Sequence, residues 1–531
     1  MLRRNRKWIS FIAVLVIMAL TVTGCGGGNS EQSAAKAEET EKTFTIAVPE
    51  EIEGADISQI NWENIVHYLM YEPLVAYDLE LKELMSSAAK SYEVSADGTE
   101  ITFKLPEDAC FANGDPMTAE EVKKSFERHK EISPYSSDLD PIKEIVAQDA
   151  QTIVFKLDNS AAFLWPVLAS TYGGIVDVKK AEELGKEAFN REAVGNGSFL
   201  LEEWVQGSHI TLVKNPKYKT NYSVLDNKGP ANIDKVTIRF ISDNFTRVSE
   251  LEAGNVDLAI NIPIENLDGL KNNENIQMYD YMQTGIDYIS FNTDVEPLND
   301  VKVRQAIAMA VDKDELKLAL KDTVDPRSGI LSPAQICYDE AVEKELKDKY
   351  GFNIDNAKAL LAEAGYKDEN NDGIVEKDGK PLSITLMVAL DNPYFKQSGP
   401  ILQAQLKKVG VDLQLREYEI KYIKQMMKEK NYQMATRYYW WSDPDILYYI
   451  FHSEAAAVWS NPEVDKLLDE ARYIMDVNER TAKYSEIQRK VMDEMPIISL
   501  FSEYQFMAAG KNVKGLKVSV DGKPYLNDVS K

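Results

Sequence analysis

Short segments with a period of two recur along this chain and alternate with helical patterns. These segments alternate apolar and polar side chains, as half-buried strands do: Thr43–Val48, Ile101–Leu105, Thr152–Leu157, Ile210–Val213, Val236–Ile241 and Ile384–Val388. Because strands and helices alternate instead of falling into separate blocks, the chain is predicted to be α/β with mixed sheets.

The predicted helices carry end signals. Thr118–Glu121 predicts a capping box, and Asp355 is predicted to cap a later helix. Asn461–Pro462 supplies an N-cap followed by a first-turn proline. A strand is predicted at Ile497–Phe501, after a last long helix.

The first 25 residues predict export. Met1–Lys7 is cationic, and the apolar Trp8–Val22 is shorter than the roughly 20 residues that span a bilayer. Val22–Cys25 resembles a bacterial lipobox, which implies cleavage after residue 24 and lipid attachment at Cys25. The alternative is an ordinary signal peptide that contains a cysteine. Residues 25–42 are small, polar and charged, and are predicted to form a disordered tether.

The body after the leader is strongly acidic. The leader holds four basic and no acidic residues, so cleavage takes the net charge from −26 to −30. This charge argues against binding to nucleic acid or to an anionic membrane surface, so membrane contact is predicted through the lipid alone. The expected location is the outer face of the cell membrane. Gly26 favours a Gram-positive-type cell surface, with the periplasm as the Gram-negative alternative.

No catalytic motif stands out. There is no nucleophile elbow, paired-histidine zinc motif, phosphate loop or dinucleotide fingerprint, and the four histidines are not spaced as metal ligands. We therefore expect no enzyme, no catalytic residue, no cofactor and no bound metal. Asp368–Glu376 imitates a calcium loop, but Gly379 stands at its twelfth position, so a polar turn is favoured and calcium binding stays open. A disulfide between Cys110 and Cys337 is possible but not favoured.

Several segments together resemble the peptide/nickel-type solute-binding proteins of bacterial ABC importers. The matching segments follow one another in order along nearly the whole mature chain: Ile101–Arg128, Val194–Phe199, Glu203–Trp204, Lys214–Tyr218, Leu251–Ala259, Phe291–Thr293, Val303–Ile307, Asp443–Asp445 and Asn461–Asp465.

The resemblance implies a monomeric, two-lobed, venus-flytrap fold of the periplasmic-binding-protein type with an extra small domain. Lobe one would combine residues 43–80, 192–292 and 500–531, the small domain residues 81–191, and lobe two residues 293–499. Hinge crossings are expected near Asp287–Thr293 and Ile497–Gln505. The lobes would close on a peptide or peptide-like solute and present it to the permease subunits of the importer.

The ligand cleft is expected to be lined by an aromatic segment and by scattered aromatic residues. The candidates are Arg437, Tyr439, Trp440, Trp441 and Asp443 in one run, together with Trp62, Tyr172 and Tyr394. Aromatic rings offer large contact areas with few torsions to freeze, and Arg437 or Asp443 could hold a ligand charge. The alternative is a buried aromatic strand followed by a surface Asp-Pro turn.

One departure from the family pattern concerns the ligand. Peptide-binding relatives commonly place an aspartate just before the Asp-Pro-Asp step, where this chain has Tyr439–Ser442. A metal chelate, an opine or a modified peptide therefore remains an alternative to a standard peptide. Use of the same fold as a sensor of a peptide signal is a further alternative.

Overall fold

A computed structural model gives the fold and describes residues 41–455 and 459–531. The predicted signal peptide, Cys25 and the tether up to residue 40 lie outside the described residues. Lys42, expected in the tether, already belongs to the folded body. Its carbonyl accepts a hydrogen bond from the Asp234 amide at 2.8 Å, and its own amide donates to Asp234 Oδ2 at 2.9 Å.

The described strands, in chain order, are β1 (Thr43–Val48), β2 (Val75–Tyr77), β3 (Leu84–Ser86), β4 (Ser91–Val94), β5 (Glu100–Lys104), β6 (Ile142–Ala147), β7 (Thr152–Leu157), β8 (Phe199–Val205), β9 (His209–Lys214), β10 (Lys235–Phe240), β11 (Leu258–Ile260), β12 (Ile276–Met282), β13 (Gly285–Phe291), β14 (Val324–Pro326), β15 (Glu376–Lys377), β16 (Lys380–Pro381), β17 (Ser383–Ala389), β18 (Asp412–Tyr418), β19 (Met434–Trp440), β20 (Ile497–Gly510), β21 (Lys517–Val518) and β22 (Pro524–Tyr525).

The described helices are α1 (Ile65–Met70), α2 (Ala119–Ile132), α3 (Leu164–Ala169), α4 (Val178–Leu184), α5 (Lys186–Phe189), α6 (Asn244–Glu252), α7 (Leu267–Lys271), α8 (Val301–Met309), α9 (Lys313–Ala319), α10 (Glu340–Tyr350), α11 (Ile354–Glu363), α12 (Pro393–Lys407), α13 (Ile420–Lys428), α14 (Ile446–Phe451), α15 (Pro462–Ala471) and α16 (Val477–Glu494). In the described part of the chain, no helix is both long and apolar enough to cross a membrane.

A long sheet runs through both lobes. Its strand order is β18-β17-β19-β13-β20-β11-β1-β10-β9-β8, with β12 and β14 also paired to β20. Strand β20 belongs to both halves, because Ile497–Phe501 pairs with β13 and Met507–Ala509 pairs with β11. The strands from β11 to β8 form lobe one, and β13, β19, β17 and β18 form lobe two.

The chain crosses between the lobes a second time at Gln283 and Thr284, which separate β12 from β13. The sequence placed this crossing at Asp287–Thr293, several residues too late, because β13 already pairs with β19 of lobe two. Gly285 is required at this point, since a Cβ there would lie 1.7 Å from the Tyr439 carbonyl oxygen. The predicted crossing in Ile497–Gln505 does contain the switch of β20 from one lobe to the other.

Three large apolar clusters fill the body. One lies in lobe one around Phe44 and Phe199, and a second lies in lobe two around Phe291 and Phe395. The third fills a small domain whose sheet, β4-β5-β7-β6, packs against α2. Full burial of each such phenylalanine contributes about 1.5–3 kcal/mol. The segment of residues 176–189, assigned from sequence to the small domain, packs into the lobe-one cluster instead.

The small domain also contacts lobe two. The Arg472 guanidinium lies between the Phe163 ring of the small domain, at 4.1 Å, and the Tyr448 ring of lobe two, at 4.2 Å. Ser160 Oγ donates a hydrogen bond to the Tyr473 carbonyl at 2.7 Å, close to this stack. These contacts bound one side of the space between the lobes.

The six alternating segments are confirmed as strands, each within about one residue of its observed bounds, and the strand predicted from Ile497 extends to Gly510. Asn461 caps α15 as predicted, accepting from the Glu463 amide at 3.0 Å. Two helix starts differ in detail. Asn353, not Asp355, caps α11, and the Thr118 hydroxyl bonds directly to the Glu121 carboxylate instead of forming a capping box.

Candidate ligand-binding cleft

A cavity of about 1100 Å³ lies where strand ends from both lobes meet. In lobe one, β1 runs parallel to β10 and β11, and the loops that leave their carboxyl ends line the cavity. In lobe two, β17 runs parallel to β19, and the residues that follow both strands line the opposite side. Ligands of open α/β sheets bind outside the carboxyl ends of parallel strands, so the topology itself marks this cavity as the candidate site.

The aromatic wall of lobe two comes from the end of β19. Successive side chains of a strand point to opposite faces, so Tyr438 and Trp440 share one face and Tyr439 the other. Tyr438 and Trp440 line the cavity with their rings stacked at 4.7 Å. The Tyr438 hydroxyl donates to Asp391 Oδ2 at 2.8 Å, which ties the strand end to the start of α12. Trp440 keeps 43% of its surface exposed.

Four of the eight candidate cleft residues line the cavity: Trp62, Tyr394, Trp440 and Trp441. Trp62 stands on the lobe-one side and is 70% exposed. Trp441 also packs against the small-domain core, and its amide donates to the Thr284 carbonyl at 2.8 Å. A role of these four residues in ligand binding remains a proposal.

The structure places the other four candidates away from the cavity lining, which corrects their expected position. Asp443 is completely buried, and Arg480 donates two hydrogen bonds to its carboxylate, both at 2.7 Å. Tyr439 faces the lobe-two core and donates to Gln335 Oε1 at 3.1 Å. Arg437 lies on the same strand face as Tyr439, and the Tyr172 hydroxyl donates to the Asn61 carbonyl at 2.9 Å.

Several polar residues of the lining were not predicted from the sequence, among them Glu50, Glu53, Asp391 and Tyr438. A usable signal was present for the first two, because they directly follow the predicted strand at Thr43–Val48. Residues after a parallel strand lie at the ligand side of the sheet. The sequence alone did not show that this strand is parallel to its neighbours, because those neighbours, β10 and β11, lie far away in the chain.

A buried pair of carboxyl groups lies beside the cavity at the crossing strands β13 and β20. Asp287 of β13 is fully buried, and Glu503 of β20 is 3% exposed. Asn392 Nδ2 donates to both of them, to Asp287 Oδ2 at 3.2 Å and to Glu503 Oε1 at 2.8 Å. Gln505 Nε2 donates to the other Glu503 oxygen at 2.8 Å. Glu503, Asn392 and Gln505 line the cavity.

Both carboxyl groups of this pair have raised pKa values. Burial raises the pKa of Asp287 well above its ordinary value, and the adjacent Glu503 and more distant Asp391 raise it further. Burial also raises the pKa of Glu503. Asp287 Oδ1 has no hydrogen-bond partner among the described residues, and a carboxyl oxygen without a donor does not favour the charged form.

We expect Asp287→Asn to make the protein less sensitive to alkaline pH. A raised folded-state pKa contributes stability below the unfolded-state value, and that contribution disappears as pH rises through the folded-state pKa. A difference of one between the folded-state and unfolded-state pKa corresponds to about 1.4 kcal/mol. Asparagine keeps the donor and cannot ionise. Thermal melting between pH 5 and pH 9 should therefore show the variant gaining stability over the wild type as pH rises.

Asp97→Asn is the matched control. Hydrogen bonds from Ser95 and Thr99 lower the pKa of the exposed Asp97 to about 2. Its contribution is lost only as pH falls towards that value, so its effect should stay constant between pH 5 and pH 9. A constant effect of Asp287→Asn over this range would contradict a raised pKa of Asp287 in the folded protein.

The other residues considered for catalysis or metal binding make structural contacts. His67 and His129 are buried and bond to the Gly54 and Gly174 carbonyls at 2.8 and 3.0 Å. In the calcium-like loop, Asp368, Asp372 and Glu376 approach one another, but main-chain amides already bond to each of them. Cys110 and Cys337 form no disulfide.

Two lobes joined by crossing strands, with a large cavity between them, are the arrangement expected of a solute-binding protein. The model of the family described as "Bacterial extracellular solute-binding proteins, family 5 Middle" matches residues 83–458. The chain belongs to this family of bacterial extracellular solute-binding proteins, which serve ABC importers and are not enzymes.

Relatives of known name cover nearly the whole chain. "Oligopeptide-binding protein AppA" of Bacillus subtilis (strain 168) is 26% identical over 97% of this chain and 97% of its own length. The structure of AppA from Bacillus subtilis in complex with a nonapeptide matches with a TM-score of 0.72 at 24% identity, over 92% of this chain and 100% of AppA. NikA from Brucella suis in complex with Fe(III)-EDTA matches with a TM-score of 0.79 at 21% identity, over 92% and 100%. At these identities the two structures support the two-lobed fold alone.

Proposed function

We propose that this chain captures a peptide-like solute between its lobes and delivers it to the permease of an ABC importer. The observation that carries the proposal is the cavity of about 1100 Å³, which both lobes line and into which large aromatic side chains project. Its volume is at the upper end of small-molecule sites, as an extended ligand of several residues requires. Ligand contact with both walls favours the closed arrangement of the lobes.

The polar lining supports a ligand with amide groups. Gln283, Gln397 and Gln505 line the cavity from the crossing strands and from α12. Carboxamide side chains both donate and accept hydrogen bonds, so they can pair with peptide N–H and C=O groups. No histidine belongs to this lining among the described residues, which disfavours direct coordination of a nickel ion by the protein.

The location we propose is the outer face of the cell membrane. The leader, the lipobox-like Val22–Cys25 and the polar segment that follows support attachment through a lipid at Cys25. The 16 residues between Cys25 and Lys42 would have a mean reach of roughly 20–24 Å as a flexible tether. A receptor held in this way stays close to a permease in the same membrane.

Peptide binding should raise the melting temperature of the purified mature protein. A ligand that binds only the folded state stabilises it by about 2.7 kcal/mol when its free concentration is 100 times its Kd. Native mass spectrometry of the protein as isolated, followed by a melting screen of peptide pools, measures both capture and stabilisation. Retention of a peptide supports the proposal, whereas a chelate or an opine that alone raises the melting temperature would replace the peptide as ligand.

A further inference from the structure

The cavity lining has nearly the same share of acidic residues as the whole chain but few basic residues. Among the described residues of the lining, nine are acidic and two, Arg247 and Lys523, are basic; the acidic set is Glu50, Glu51, Glu53, Glu63, Asp78, Glu265, Asp391, Glu503 and Asp521. The whole chain has 86 acidic and 60 basic residues. The lining therefore differs from the rest of the chain mainly in its scarcity of basic residues.

Of the two basic residues, Lys523 is paired with carboxylates, whereas Arg247 bonds to neutral carbonyls and keeps its positive charge. Arg247 is 1% exposed, and its guanidinium donates to the Ile241 and Asn261 carbonyls at 2.8 and 2.6 Å. Lys523 stands 3.5 Å from Glu63 and 3.7 Å from Asp521. These two carboxylates outweigh the effect of burial and raise the pKa of Lys523, so its charge is balanced within the wall.

Most of the nine carboxylates have no positively charged partner. Apart from Glu63 and Asp521, none of the nine forms an ion pair with another described residue. Glu51 accepts hydrogen bonds from Trp204 Nε1 at 2.7 Å and from the Gly207 amide at 2.9 Å, but both donors are neutral. Carboxylates of one sign on low-dielectric walls focus their potential into the space between them.

Aromatic rings accompany the carboxylates on both walls. In lobe two, Asp391 accepts the Tyr438 hydroxyl beside the Tyr438–Trp440 stack. In lobe one, the Glu53 carboxylate accepts the Asn61 amide at 2.6 Å, and the exposed Trp62 follows directly. A carboxylate next to an open aromatic face binds an ammonium or guanidinium group through both the charge and the ring quadrupole.

One feature of the site contributes positive instead of negative charge. The N-terminus of α12 contributes Pro393 to the lining and carries the positive end of the helix dipole. Asp391 lies just before this helix, and the Asn392 side chain accepts the Tyr394 amide at 2.8 Å. The helix end is therefore already offset by a carboxylate and capped by an amide oxygen.

From this lining we infer that the cavity selects solutes of net positive charge, namely peptides that carry several ammonium or guanidinium groups. The inference rests on the proposed function and names the class of peptide within it. Uncompensated carboxylates would repel acidic peptides and would gain charge-assisted hydrogen bonds with basic ones. The attraction between a basic peptide and this wall should also weaken as salt is added.

A competition experiment tests the inference. The mature protein is mixed with three equimolar pools of peptides, two to eight residues long, that are identical except for lysine, glutamine or glutamate at alternate positions. Native mass spectrometry identifies the retained peptides, and calorimetry gives their Kd at low and high salt. We expect the lysine peptides to bind on the order of tenfold more tightly than the glutamine peptides, and the glutamate peptides to bind least.

Variants that remove negative charge test whether the lining carboxylates cause the preference for lysine peptides. Glu50→Gln combined with Glu53→Gln and Asp391→Asn should lower the affinity for lysine peptides by a larger factor than the affinity for glutamine peptides. Glu107→Gln removes the same kind of charge from an exposed position outside the lining, and it should alter neither affinity.

The outcomes separate the two proposals. Retention of glutamine or glutamate peptides at equal or higher affinity than lysine peptides overturns the charge selection and leaves peptide capture intact. Retention of no peptide from any pool overturns the proposed function, and the charge selection with it. Equal loss of affinity for lysine and glutamine peptides in the triple variant would show that the carboxylates do not act through ligand charge.

Discussion

Replacing Arg480 with methionine should lower the free energy of unfolding by about 3–5 kcal/mol, the usual cost of removing one partner from a buried ion pair. The guanidinium of Arg480 holds both oxygens of Asp443, which is completely buried. Asp445 lies beside this pair, and burial raises its pKa to about 7 even though the charge of Arg472 acts in the opposite direction. Without Arg480, two neighbouring carboxyl groups would remain in an interior with too little positive charge.

The loss should depend on pH. An unpaired buried Asp443 avoids its charge by taking up a proton, so the Arg480→Met variant should recover stability as pH falls from 8 to 5. Chemical denaturation followed by circular dichroism at the two pH values measures this recovery. A defect of equal size at both values would show that lost packing, not the unpaired carboxylate, causes it.

The same helix provides a matched control. Arg489, also on α16, donates to Glu345 at 2.8 Å, but both side chains are largely exposed. Exposed pairs contribute about 0–1 kcal/mol, so Arg489→Met should have little effect. A double variant, Asp443→Leu with Arg480→Met, removes both buried charges and should recover much of the stability. If this double variant folds but no longer binds peptide, Asp443 has a role in the ligand site after all.

The buried ion pair of Asp443 could not be predicted from the residues next to it in the sequence. The Asp-Pro-Asp step favoured either a surface turn or a ligand-binding carboxylate, because its neighbours gave no sign of a buried partner. That partner lies on a helix 37 residues later. Asp287 and Glu503 are likewise far apart in the chain and meet only where β13 and β20 cross. Contacts of this kind follow from topology, which local patterns do not encode.

Local patterns did predict the secondary structure well. Alternation gave the strands, and Asn461 followed by Pro462 gave the start of α15 to the residue. Tyr439 and Trp440 point to opposite faces of β19, but the sequence alone placed both in the cleft because it did not show which face meets the cavity. That choice follows from the packing of Tyr439 into the lobe-two core. The acidic lining could not be predicted in the same way, because its members come from many separate loops.

Trp440→Ala should weaken peptide binding by about 1.5–3 kcal/mol, or roughly 10- to 150-fold in Kd, as truncation of a central aromatic contact does in other interfaces. The ring lines the cavity with 43% of its surface exposed and is held in place by its stack on Tyr438. Stability should fall less, by about 0.5–1.5 kcal/mol, because the main loss in the free protein is that stack. Trp440→Phe, which keeps an aromatic ring at the same position, should retain part of the affinity.

Calorimetry of the variants with a retained peptide, together with their melting curves, separates binding from stability. Phe352→Ala is the control, since Phe352 is 48% exposed but does not belong to the cavity lining. It removes a comparable exposed ring and should leave the Kd unchanged. Trp62 stands on the lobe-one side, so Trp62→Ala should also weaken binding, and the two losses should add if each ring contacts a different part of one ligand. Wild-type affinity in the Trp440→Ala variant would show that the Trp440 ring contributes nothing to ligand binding.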